Sequence, residues 1–179
     1  VEEFINIKSD LSKVTGANIS LRIDDDFMWK VINDLPHTLS FTRQETGQII
    51  ERTVSAKELF KKLATMNWRT AEPGILFWDN ISNWNLLSET EGFEYAGTNP
   101  CAEEPLPAGG SCLLSSINLS EFVKEPFTLD SYFDYEEFTN VVHAAVREMN
   151  RILDEGLPLH PLKEQRDAVR DWRQIGLTY

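Results

Sequence analysis

Between Gly97 and Pro107 the sequence reads Gly-Thr-Asn-Pro-Cys-Ala-Glu-Glu-Pro-Leu-Pro, with an amide, a thiol and a carboxylate at the alternate positions Asn99, Cys101 and Glu103. In an extended backbone, alternate side chains point to the same side. Pro100 and Pro105 favour extended backbone and discourage helix. The three groups are therefore expected to converge on one volume. A thiol, a carboxylate that can move a proton and a neutral hydrogen-bonding amide would meet there. A loop presenting these groups together is a candidate site. Glu104 is expected to point the opposite way, into solvent. The other thiol is Cys112, eleven residues on; two cysteines at that spacing read by default as buried and inert.

The remaining chemistry-bearing residues read as scaffold. Asp24-Asp25-Asp26 stands directly ahead of a helical pattern, where carboxylates cap the helix and complement its dipole. His37, His143 and His160 are far apart and never at metal-ligand spacing, so packing or surface roles are expected and no metal site is predicted. Trp78 and Trp84 are expected to be packing anchors. Tyr95, Tyr132 and Tyr135 lie in no radical-transfer motif, and Ser115 and Asn118 are given no chemical role.

Several elements could position the loop. Val1, Phe4, Ile5 and Leu11 fall near one helical face, and Ala17–Ile23 alternates polar and apolar as a half-covered strand does. A helix through Phe27, Met28, Val31 and Ile32 follows. Residues 38 to 54 predict a β-hairpin turning at Glu45–Gln48. Ser55 and Glu58 form a capping box for a helix running to about Thr70. Ile75–Trp78 predicts a strand buried on both faces, and strand, helix, strand predicts crossover units in a largely parallel sheet. Thr98–Asn118, with its prolines and paired glycines, predicts no regular element. The strongest helical pattern runs from Asp134 to Glu155, through Phe138, Val141, Val142, Ala145, Met149, Ile152 and Leu153. A shorter helix from about Pro161 to Trp172 leads into a strand start at Gln174–Leu177. The fold class is therefore α/β.

Composition bounds the function. The 179 residues carry a net charge of −12, with 41% hydrophobic and 26% charged residues, an ordinary globular balance. A surface this acidic repels phosphate backbones, so nucleic acid is not an expected partner. Two cysteines do not make a secreted disulfide framework. The opening VEEFINIKSD is not a basic-then-apolar leader, and no run reaches the roughly 18 apolar residues that span a bilayer. A soluble, cytoplasmic protein without a membrane partner is expected.

Asn99-Pro100-Cys101-Ala102-Glu103, followed by Gly110-Ser111-Cys112-Leu113-Leu114-Ser115-Ser116-Ile117-Asn118-Leu119, closely resembles the finger-loop region of the ribonucleotide reductase large subunit. The proline after Asn99 and the short gap to Cys112 resemble most the adenosylcobalamin-dependent class. Val1–Ser20, Glu72–Asp79 and Arg173–Leu177 extend the resemblance over nearly the whole chain. It implies part of a ten-stranded α/β barrel, residues 1–179 being a partial catalytic barrel domain with a finger loop at about 98–112. It also implies reduction of a ribonucleotide to the deoxyribonucleotide. Cys101 would be the thiyl radical site that removes the 3′ hydrogen of the ribose. Glu103 would take the proton of the 3′-hydroxyl, and Asn99 would hydrogen-bond the 2′-hydroxyl or the 3′ oxygen. Cys112 would be one of two thiols that reduce the substrate and close to a disulfide. The implied cofactor is adenosylcobalamin, with a di-iron radical subunit as the second choice, since the Asn-x-Cys-x-Glu core is shared across those classes.

The resemblance also implies parts that this sequence lacks. The family's reducing pair includes a cysteine well upstream, and both cysteines here are already assigned. The effector loops, the phosphate-binding loop and the C-terminal cysteines are also absent. The chain is thus expected to be an internal fragment, inactive alone. Its implied partners are the ribonucleotide substrate, the remainder of the reductase subunit, a thioredoxin-type reductant and a second copy in a homodimer. The alternative from a different class is a non-catalytic truncated piece that keeps the fold for binding or structure. Uncovered sheet edges and apolar faces predict self-association or marginal stability.

Overall fold

Short strands alternating with amphipathic helices build two parallel strand pairs, one in each of the units Val1–Leu86 and Leu87–Tyr179. The computed structural model describes all residues from Val1 to Tyr179. The fold is mixed α/β with five two-stranded sheets, and no closed barrel forms within these residues. Three of the five pairs are antiparallel, so the largely parallel sheet expected from the sequence is realised only in part. No helix is long and apolar enough to cross a membrane.

In the first unit, α1 (Glu2–Ile5) is far shorter than the predicted Val1–Leu11 segment. The chain leaves it because Lys8 turns inward, where its ammonium bonds the Ala17 carbonyl and pairs with Glu72. Strand β1 (Ser20–Ile23) pairs in parallel with β4 (Gly74–Phe77), Ser20 opposite Gly74. Helix α2 (Asp25–Ile32) is capped by Asp24, whose Oδ1 accepts the Phe27 N–H at 2.7 Å. The acidic triplet is thus cap and first turn, as expected. The predicted hairpin is β2 (Pro36–Thr42) with β3 (Ile49–Ser55), and Gly47 takes φ 66° in its turn. Ser55 Oγ accepts the Glu58 N–H at 3.2 Å and starts α3 (Ala56–Thr70) where the capping box placed it. Ile5, Phe27, Ala56, Leu59, Leu63 and Met66 form the buried cluster of this unit.

Two expectations around β4 are corrected. Only Leu76 of the strand is buried, because the sheet has a single further strand, and Trp78 opens α4 (Trp78–Asn83) instead of ending β4. Trp78 lies under the Arg22 guanidinium at 3.6 Å, but Trp84 is 82% exposed and anchors nothing in this chain.

In the second unit, β5 (Tyr95–Thr98) pairs antiparallel with β6 (Pro105–Pro107), and β7 (Leu113–Ser116) pairs in parallel with β10 (Ile175–Thr178). Thr98–Asn118 therefore does hold regular structure. Prolines are tolerated in β6 because it is a three-residue edge strand. Beyond β8 (Val123–Lys124) and β9 (Tyr132–Phe133), the strongest predicted helix appears as α5 (Tyr135–Gly156), with Asp134 accepting the Glu137 N–H at 2.9 Å. After α6 (Lys163–Trp172), the Arg173 guanidinium bonds Asn150 and Asp154 of α5, fixing where β10 begins. Phe138 packs edge to face against Phe122 and Phe133, and Phe93 packs between Tyr95 and Trp172.

Candidate functional site

The segment joining β5 to β6 is a turn, which corrects the extended backbone expected from its prolines. The Ala102 N–H donates to the Asn99 carbonyl at 3.1 Å, closing Asn99-Pro100-Cys101-Ala102, and Ala102 itself takes φ 68°. Asn99 then ties the two strands together. Its N–H donates to the Glu104 carbonyl at 3.1 Å, and its Oδ1 accepts the Glu104 N–H at 3.0 Å. Short amides favour such side-chain-to-backbone bonds, and proline presets the second position of a turn. The sequence held that signal, an Asn followed by Pro. Proline's preference for extended neighbours masked it.

The alternation argument therefore does not apply to Asn99, Cys101 and Glu103. Cys101 stands exposed at the tip of the turn as a free thiol, and Glu103 is exposed beside it. Asn99 is half-buried at the base of the turn, with its carbonyl end already bonded. The three residues share one turn but not one face of a strand.

Glu104 is the residue misjudged in the opposite sense. The turn rotates it inward, where its carboxylate lies beside the half-buried Cys112 thiol just ahead of β7, and the thiol itself donates to the Leu113 carbonyl at 3.8 Å. Both groups border Gly176 of β10. A Cβ built there would lie 2.8 Å from Glu104 Oε1, 3.7 Å from Cys112 Sγ and 2.6 Å from Leu114 Cδ2. The pair thus occupies space that any side chain at position 176 would claim. Cys112 is pushed up to about 12, first by burial, then by the neighbouring Glu104 carboxylate and the charges of Glu104 and Glu103, with the Gly176 N–H opposing. Nearby, Gln174 Nε2 donates to the Pro105 carbonyl at 2.8 Å, holding β6 to the start of β10, while its buried Oε1 has no partner.

His37 packs edge-on against Phe27, with ring centroids 5.0 Å apart, and its buried Nδ1 has no partner. No three His, Cys, Asp or Glu side chains are grouped to hold a metal ion. The unit thus presents an exposed thiol with a carboxylate beside it on a turn, and a second thiol paired to a second carboxylate behind it.

The family model described as "Ribonucleotide reductase, barrel domain" matches residues 1–179. The vitamin B12-dependent ribonucleotide reductase of Streptomyces coelicolor is 35% identical over 165 residues, covering 92% of this chain and 16% of that protein. The vitamin B12-dependent ribonucleoside-diphosphate reductase of Thermoplasma acidophilum is 32% identical over 178 residues, 99% of this chain and 22% of that protein. A protein of the same description from Mycobacterium tuberculosis is 31% identical over 176 residues, 98% of this chain and 24% of that protein. The chain spans about a sixth to a quarter of the length of these curated relatives. With its whole length matched, the chain belongs to the ribonucleotide reductase barrel-domain family.

Proposed function

We propose that this chain is the catalytic-loop segment of an adenosylcobalamin-dependent ribonucleotide reductase, acting on a ribonucleoside diphosphate or triphosphate by thiyl-radical chemistry. The observation that carries the reading is Cys101, a free thiol at the exposed tip of a turn in a chain matched throughout by the reductase barrel family. The two parallel pairs, each with helices between its strands, are what a slice of a ten-stranded α/β barrel would contribute.

The cofactor fits these residues at one point, the accessible Cys101 S–H. What bound adenosylcobalamin would supply is a hydrogen-atom acceptor for that bond. Cys101 then takes the 3′ hydrogen of the ribose; S–H and the activated C–H are close in strength, so transfer is reversible. Glu103, exposed on the same turn, takes the proton of the 3′-hydroxyl. Asn99 spends its Oδ1 on the Glu104 N–H, which leaves its Nδ2 amide to donate to a sugar oxygen without ionising. Cys112 is one of the two reducing thiols. Its partner belongs to the remainder of the subunit, a thioredoxin-type reductant restores the pair, and the assembly is a cytoplasmic homodimer.

In the full-length protein, Cys101→Ala is expected to abolish exchange of the 3′ hydrogen, and residual exchange would sink the radical assignment. Cys112→Ser should retain that exchange and lose multiple turnover. The 179-residue chain alone should reduce no nucleotide with dithiothreitol and adenosylcobalamin, since it holds only one of the two reducing thiols.

A further inference from the structure

The geometry points to Glu104 as the proton acceptor of Cys112: when the Cys112 sulfur attacks a disulfide, its S–H proton passes to the Glu104 carboxylate. This role rests on reading Cys112 as a redox thiol whose disulfide a thioredoxin-type reductant reopens by exchange, of which the attack described is the reverse step, and it concerns a carboxylate separate from Glu103.

Three observations carry it. The carboxylate and the thiol lie side by side at Gly176, where Glu104 Oε1 and Cys112 Sγ fall 2.8 and 3.7 Å from the place of a Cβ, so transfer needs only that the S–H swing from the Leu113 carbonyl to the carboxylate. The backbone of Glu104 is pinned on both sides, its N–H by Asn99 Oδ1 at 3.0 Å and its carbonyl by the Asn99 N–H at 3.1 Å. Gly176 leaves room for the pair, with both polar atoms inside the space a Cβ would contact. A half-buried thiol titrating at about 12 is ionised to only about one part in 10⁵ at pH 7. The thiolate is the attacking species in disulfide exchange. A thiol in that position needs a base in contact with it, and Glu104 is that base.

The step balances as follows. The Cys112 S–H bond breaks and its proton moves to a Glu104 oxygen. The sulfur's electron pair forms the new S–S bond. The other sulfur of the attacked disulfide leaves as a thiolate with the pair of the broken bond. Cys112 is oxidised to a mixed disulfide and the leaving sulfur is reduced.

The test uses the chain carrying Cys101→Ser, so that Cys112 is the one reacting thiol, and dipyridyl disulfide as a neutral probe. Adding Glu104→Gln should slow Cys112 by about 10²-fold or more at neutral pH. With Glu104→Ala, added acetate should restore the rate in proportion to its concentration. A faster reaction in Glu104→Gln would mean that the carboxylate merely suppresses ionisation, and it would overturn the proposal, as would an unchanged rate.

A second measurement leaves Glu104 intact, so it does not depend on the variants folding. The charged groups facing the thiol are Glu103 and Glu104 on the turn, and β10 adds only the Gly176 N–H. With Glu104 as base, the rate should be flat through neutral pH. A tenfold rise per pH unit toward 12 would exclude it. The redox reading of Cys112 fails separately: multiple turnover by full-length Cys112→Ser would remove it while leaving these probe rates as they stand.

Discussion

Each unit sets a glutamate near a parallel strand pair in which a glycine makes room, yet the two glutamates keep different company. In Val1–Leu86, Glu72 pairs with Lys8 and accepts the Ile19 N–H at 3.0 Å, beside Gly74, whose absent Cβ would lie 2.8 Å from Ser20 Oγ. In Leu87–Tyr179, Glu104 meets the Cys112 thiol beside Gly176. The Lys8 ammonium and the Ile19 N–H hold the Glu72 carboxyl below its ordinary range, so it stays an acceptor further into acid than a free carboxyl does. A thiol partner offers a transferable proton instead. The residue type is the same, and the partner decides whether it braces the fold or serves chemistry.

The largest effect on that comparison should come from the apolar cluster that makes the first unit a brace. Leu63 is 2% exposed among Ile5, Phe27, Leu59 and Met66, so Leu63→Ala should cost about 2–5 kcal/mol, read as a lower urea midpoint. A loss well below that range would mean the cluster does not carry the unit. Next in size is Glu72→Gln, which leaves the buried Lys8 ammonium without its counter-charge and should lower the thermal midpoint. The pH dependence has a definite sign. A carboxyl with a depressed folded-state value contributes stability above its unfolded value, about 4.3, and loses it as pH falls through the folded value. Wild type should therefore lose stability on acidification across that window, and Glu72→Gln should lose less. Equal acid sensitivity in both would dissolve the contrast with Glu104.

The brace was far more legible in the sequence than the site. Asp24 and Ser55 act as caps where their positions predicted, and the hairpin and α5 follow their periodicities, because caps and amphipathic faces are local. Lys8 was missed, since its partner Glu72 lies across the unit and nothing local announces a buried ammonium. In the site, types and spacing single out Asn99, Cys101 and Glu103, and the family resemblance adds Cys112, but the extended arrangement they suggest is not the one formed. Pro100 favours both an extended neighbour and a turn, and the Asn99 bonds to Ala102 and Glu104 decide for the turn. That decision turns Glu104 inward. Its meeting with Cys112 then depends on β10, a strand far along the chain, so no window of sequence contains the pair.

The smallest stability effect should accompany the sharpest chemical one. At Gly176, a new Cβ meets the ends of two flexible side chains, Glu104 and Leu114, which can move aside. Gly176→Ala should therefore change stability by no more than about 1 kcal/mol, since crowding and the restricted unfolded chain oppose each other. Moving the carboxylate off the thiol weakens the interaction that helps raise Cys112, while burial still acts. The thiol should titrate below about 12 yet above its ordinary range, and it should react more slowly with dipyridyl disulfide because its proton acceptor has moved. Gly74→Ala is the matched control: its Cβ meets Ser20 Oγ in the other unit, so it should shift the unfolding midpoint and leave Cys112 as it is. If Gly176→Ala leaves the Cys112 titration unmoved, space at position 176 does not hold the carboxylate on the thiol, and the two glycines do the same structural job.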